Sequence, residues 1–189
     1  LNRQCKVNKS IIKEVFAMKR NIVSLIILFI LVMSIDSCAE NVSNIENQDT
    51  YGAKASKEDS DLELKEMLIY AIQDEYLANK EYELIMNKYG TQRPFSNIKK
   101  AEERHISMLK EVLFKNGIDI PKDDSSEYVK LPNSIDEAYR LGVEAEIENI
   151  AMYERFLQQE LTVDARRAFE ALKNASENHL RAFRKFVSD

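Results

Sequence analysis

Cysteine is scarce: the 189 residues contain two, Cys5 and Cys38, and none follows Cys38. That excludes a disulfide framework downstream of it, and also an iron–sulfur or other thiolate metal centre. Any metal held there must be held by oxygen and nitrogen. Proline and glycine are few as well, with three and four residues, and no stretch sustains a two-residue alternation of apolar and polar side chains, so strand signals are missing. Charge of one sign is also lacking. Lys and Arg number 27 against 32 Asp and Glu, a net charge of -5 with the signs interspersed, so no basic stripe points to a nucleic-acid partner. One long apolar run occurs, from Ile22 to Ile35, and it is too short to span a bilayer comfortably.

That run reads as an address. It follows Lys19 and Arg20 and has the length of a signal-peptide core, which sets the start of translation at Met18 and makes residues 1–17 an upstream, non-native extension. It ends in Ser34-Ile35-Asp36-Ser37-Cys38, which resembles a bacterial lipoprotein signal with Cys38 as the lipidated first residue. Asp36 fits that pattern poorly, and an ordinary signal peptide cut near Ser37 or Ala39, or an uncleaved anchor, stays open. In each case the domain leaves the cytosol. It is then a membrane-anchored lipoprotein of the cell envelope, or secreted or periplasmic if no lipid is attached. Residues 39–60 are rich in Asn, Ser, Asp, Glu and Lys without apolar periodicity, as expected of a solvated tether. Residues 61–189 remain, enough for one domain with its own core.

Four helices are predicted there. The first runs from about Asp61 to Tyr89, with Gly90 just past its end, and the second opens near Pro94 and stops at Gly117. The third starts at Ser134, where Ser134-Ile135-Asp136-Glu137 has capping-box spacing, and continues to about Glu160. The fourth runs from Thr162 to about Val187. The first and last connections are so short that each joins antiparallel neighbours. The middle one, 117–133, is long enough to cover roughly 50 Å at about 3.3 Å per residue. A helix of some 22 residues is only about 33 Å long, so this connection can return the chain along the whole bundle. The expected fold is all-α: a ferritin-like four-helix bundle of two antiparallel hairpins joined by a long crossover.

Each predicted helix carries an apolar seam at alternating spacings of three and four residues, interrupted near its middle. The interruptions are Glu75 in the first helix, Glu102 and His105 in the second, Glu146 and Asn149 in the third, and Ser176 and His179 in the fourth. The chain has only these two histidines. A buried carboxylate is costly unless paired or metal-bound, so four interruptions at matching depth point to one shared site. Tyr76, Tyr82, Tyr139 and Tyr153 lie on or beside the seams, where tyrosine is ordinarily core. The bland alternative for the whole layer is a polar core in which His and Glu satisfy each other.

Glu102-x-x-His105, with single glutamates on the first and third helices, resembles the ferritin-like superfamily of di-metal carboxylate bundles, in which two helices each give one Glu and two each give Glu-x-x-His. The fourth helix departs from that pattern, since Ser176 stands where the bridging carboxylate belongs. Asn149 stands where rubrerythrin-like proteins often have another glutamate. Leu141-Gly142 before Glu146, together with Ser-Glu-Asn-His-Leu-Arg-Ala-Phe in the fourth helix, is similar to a ferritin-like family known as domain of unknown function 2202. The resemblance covers about Leu64 to Phe186.

The expected metal ligands are Glu75, Glu102, His105, Glu146 and His179, with Asn149 and Ser176 as weaker contributors. Such donors suit iron or manganese, one or two ions, and also zinc; they suit calcium poorly. The superfamily resemblance implies ferroxidase or peroxide-reducing chemistry. The other reading is a non-catalytic envelope binding or interaction module on a degenerate ferritin scaffold. Expected partners are metal ions and, through the lipid, a membrane; a homodimer stays open.

Overall fold

A computed structural model describes residues 50–187. The extension, the signal-like segment with Cys38, and residues 39–49 of the tether lie outside the described residues. Among the described residues all regular structure is helical: α1 Ala53–Glu58, α2 Leu64–Tyr89, α3 Phe95–Lys115, a 3-10 turn Ser125–Glu127, α4 Ile135–Phe156 and α5 Val163–Phe183. None of these helices is long and apolar enough to cross a membrane.

Local chemistry sets the helix ends. Ser134 Oγ accepts from Glu137 N–H at 3.1 Å, while Glu137 Oε2 accepts from Asn133 N–H at 2.7 Å. The capping box forms, with its return bond one residue upstream of the usual place. Thr162 caps α5 through Ala165 N–H. Gly117, at φ 68°, closes α3 as the left-handed residue that glycine suits, with Ile118 N–H bonded back to Leu113 C=O at 3.0 Å. Three helices are shorter at their C-termini than predicted, α3 by two residues and α4 and α5 by four each, because periodicity runs on past the last helical turn and does not itself mark the stop.

α2 and α3 form one hairpin, α4 and α5 the other, and α2 also packs on α4, and α3 on α5. Two apolar clusters fix the direction of each helix. One gathers the start of α2, the ends of α3 and α4 and the start of α5, around Leu68, Leu113, Phe156 and Phe169. The other gathers Ile85, Phe95, Tyr139 and Phe183 from the opposite ends of the same helices. The starts of α3 and α4 therefore share one end of the bundle, and residues 117–133 must travel its length, as the crossover expectation requires. Lys88 Nζ and Tyr89 Oη tie the far end of that connection down by donating to Pro132 C=O at 2.9 and 2.7 Å. Burial of each large apolar side chain in these clusters contributes about 1.5–3 kcal/mol.

The tether boundary needs correction, because residues 51–58 are built into the domain. Tyr51, Ala53 and Ser56 are buried, and α1 packs on α2 and α4. Ala53 N–H donates to Asp74 Oδ1 at 3.0 Å, Tyr51 stacks on Tyr128 with ring centroids 4.4 Å apart, and Arg155 donates to the carbonyls of Ser56, Lys57 and Asp59 at the end of α1. Polar composition concealed this helix, because its anchorage is mostly hydrogen bonding and one aromatic stack.

Candidate metal centre

Between the two apolar clusters lies a layer of polar side chains from all four long helices, its glutamates buried and its two histidines part-buried. Glu75 on α2 and Glu102 and His105 on α3 form one group, and Glu102, Glu146 on α4 and His179 on α5 form a second. In each group the candidate ligand atoms lie within 4.8 Å of one another. His105 Nδ1 is 2.7 Å from Glu102 Oε2 and 3.1 Å from Glu75 Oε2. His179 Nδ1 is 3.3 Å from Glu102 Oε1 and 3.4 Å from Glu146 Oε1. Glu102 thus turns one oxygen to each histidine, as a bridging carboxylate would, and the imidazole rings stack with centroids 5.9 Å apart.

The three-residue spacing of Glu102 and His105 places both on one face of α3, and Ser176 and His179 do the same on α5. The structure brings together the five expected ligands. The two weaker ones are buried nearby: Ser176 lies beside Glu146 and Asn149 beside Asp74.

Two tyrosines read as core do more than fill space. Tyr153 Oη on α4 donates to Glu75 Oε1 on α2 at 3.0 Å, and Tyr82 Oη on α2 donates to Glu146 Oε1 on α4 at 3.4 Å. The exchange is reciprocal, and a repeat announces it: Glu75 precedes Tyr82 by seven residues and Glu146 precedes Tyr153 by seven. That repeated spacing is the signal that could have separated these two from ordinary core tyrosines. Burial, followed by nearby carboxylates, pushes both phenols well above their usual range, so they stay protonated and can donate. Tyr76 and Tyr139 are buried in the apolar clusters instead, as the core reading expects.

The electrostatics follow from burying three carboxylates together. Burial and then the charge of Glu102 push Glu75 well above the ordinary carboxylate value. Burial also raises Glu146, although His179 counters it. For Glu102 burial again works upward, but hydrogen bonds from His105 and His179 outweigh it and hold the group at about 2. The imidazoles move the other way from desolvation alone: burial lowers them, yet their carboxylate partners carry His105 to about 9 and His179 to about 10. A layer that holds three carboxylates by protonating two imidazoles is a layer that cations can enter by displacing those protons. Glu146 Oε2 is buried without a hydrogen-bond partner, an acceptor that a cation would satisfy. The donor set and this orphaned oxygen fit a divalent metal.

One family model, described as an uncharacterised protein domain (DUF2202), matches residues 64–189. The uncharacterised protein MJ0754 of Methanocaldococcus jannaschii is 31% identical over 142 residues, 67% of this chain and 76% of that protein. The crystal structure of the hypothetical protein MJ0754 from Methanococcus jannaschii DSM 2661 matches with a TM-score of 0.58 and 27% identity, covering 68% of this chain and 83% of that one. The matched family region begins after α1 and holds all five candidate ligands.

Proposed function

Because the chain belongs to the DUF2202 family, a membership that brings no reaction with it, we propose its function from the site itself: an envelope protein that binds iron or manganese in the core of a four-helix bundle and uses it in ferroxidase or peroxide-reducing chemistry. The observation that carries the metal reading is Glu102, whose two oxygens serve two Glu/His groups drawn from four helices. A polar layer kept only for packing has no need of five ionisable groups converging on two points, because burying charge is costly. Glu75 with Glu102 and His105 would hold one ion, and Glu146 with His179 and a share of Glu102 a second. A bound pair of iron or manganese ions would supply one-electron steps toward oxygen or peroxide. The chain's own residues hold the donors in place: Tyr153 and Tyr82 orient Glu75 and Glu146, and the apolar clusters above and below fix the four helices that carry them. The envelope location is supported by the signal-like segment 18–38, and lipid on Cys38 would make the protein membrane-attached.

A second reading, a non-catalytic interaction module on the same scaffold, is favoured by how far the layer satisfies itself: both imidazoles and all three carboxylates already have hydrogen-bond or ion-pair partners. Elemental analysis separates the two. Protein purified without chelator is expected to carry about two equivalents of iron or manganese, and the His105→Ala/His179→Ala double variant none. About one equivalent would place a mononuclear site at His105, and zinc alone would remove the redox chemistry. Protein that also refuses added iron and manganese would leave the interaction module as the function.

A further inference from the structure

We propose that residues 51–58 form a strap whose docking is coupled to occupancy of the metal centre, so that bound ions tighten the strap and the docked strap tightens the binding of the ions; the proposal rests on the metal reading above. The strap bears on one residue of α2. Gly52, at φ 58°, lies so close to Asp74 that a Cβ there would come within 2.8 Å of its Cα and its Oδ1. Ala53 N–H donates to that same oxygen at 3.0 Å. Asp74 is itself buried, with Asn149 of α4 beside it. Each of these two residues is close in the chain to a candidate ligand: Asp74 directly precedes Glu75, and Asn149 follows Glu146 by three residues, about one helical turn. The strap is therefore set against the place where α2 and α4 meet at the depth of the centre.

The strap can respond because its anchors are few. Tyr51 stacks on Tyr128, Ala53 and Ser56 are buried, and Arg155 holds the last carbonyls. A helix of six residues is not stable alone, so α1 forms when it docks and is lost when it undocks. Apart from Ala53, every buried member of the two apolar clusters comes from the four long helices, so the bundle keeps its core while the strap opens. Charge supplies the link between the strap and the centre. Asp74 lies in the field of Glu146 and Glu102. Cations bound between those carboxylates offset that negative field, and a carboxylate relieved of it is a stronger acceptor for Ala53 N–H. The same carboxylate, held in place by the strap, favours cations in the centre, and a coupling of this kind acts equally in both directions.

The test uses full-length protein titrated against a competing chelator with manganese(II), and with iron(II) under anaerobic conditions. Gly52→Ala sets a Cβ against Asp74, and Ala53→Pro removes the N–H donor at a first-turn position that proline tolerates; both undock the strap and leave the four long helices alone. Each variant is expected to bind the ion about tenfold more weakly than the wild type, within the usual range for coupled sites. Hydrogen exchange reads the reciprocal effect: in the wild type the amides of residues 53–58 should exchange about tenfold more slowly with the ion bound than after chelator treatment. A strap that serves structure alone leaves exchange there insensitive to the ion, and that result overturns the proposal, as does wild-type affinity in both variants. Wild-type protein that takes up neither manganese(II) nor iron(II) overturns the metal reading itself, and the coupling with it.

Discussion

With one oxygen 2.7 Å from His105 Nδ1 and the other 3.3 Å from His179 Nδ1, Glu102 is the side chain common to both halves of the centre. Glu102→Gln keeps the shape and removes the charge. Second-sphere changes at metal sites weaken binding by about 10–100-fold, and a shared ligand should cost at least the upper figure; competitive chelator titration measures it, and unchanged affinity would mean that Glu102 is no ligand. The imidazoles set the pH behaviour of the metal-free protein. Both have folded values above the ordinary 6.5, about 9 for His105 and about 10 for His179, so the stability they confer is complete below about pH 6.5 and is lost as pH rises toward 10. Chelator-treated protein should therefore denature at lower denaturant concentration at pH 10 than at pH 6.5, whereas metal affinity should rise over that range because ligation needs the neutral imidazole. A flat denaturation profile would show that the histidines are not ion-paired in the metal-free state.

At the scale of the helices, the seams on all four were legible from three- and four-residue spacing, and so was the depth of the polar interruption, because a buried face repeats at the helical period whatever it packs against. Phe186 shows where that reasoning stops: it continues the seam of α5, but the helix ends at Phe183, and Phe186 stacks on Tyr139 while 44% exposed. Gly142 shows another limit. Its role in close helix approach could be suggested from α4 alone, but its partner could not: a Cβ there would lie 2.8 Å from the Phe183 ring on α5, and that ring is fully buried against Tyr82 and Phe95. Gly142→Ala is expected to destabilise the protein by about 1–3 kcal/mol, the usual cost of overpacking. Thermal denaturation checks this, and an unchanged midpoint would mean that the α4–α5 interface yields easily.

Across the whole molecule, the domain begins about ten residues earlier than composition suggests. A chain starting at residue 61 loses the burial of Tyr51 and Ala53 and the Ala53 bond to Asp74, a carboxyl that burial raises to about 7 and that sits next to Glu75. Relative to a chain starting at residue 50 it is expected to lose about 2–4 kcal/mol, the sum of one large side chain and a hydrogen bond to a buried carboxyl; denaturant unfolding of the two chains measures the difference, and equal stability would make α1 a passive decoration. The sequence by itself determined the class, the four helices, the crossover and the five converging side chains, because each follows from periodicity and loop length along one chain. Only the tertiary structure decided that Glu102 is shared between two groups, that Tyr82 and Tyr153 reach across between α2 and α4 to Glu146 and Glu75, and that residues 51–58 belong to the domain. These are contacts between residues far apart in the chain, and no local pattern encodes the distance across a bundle.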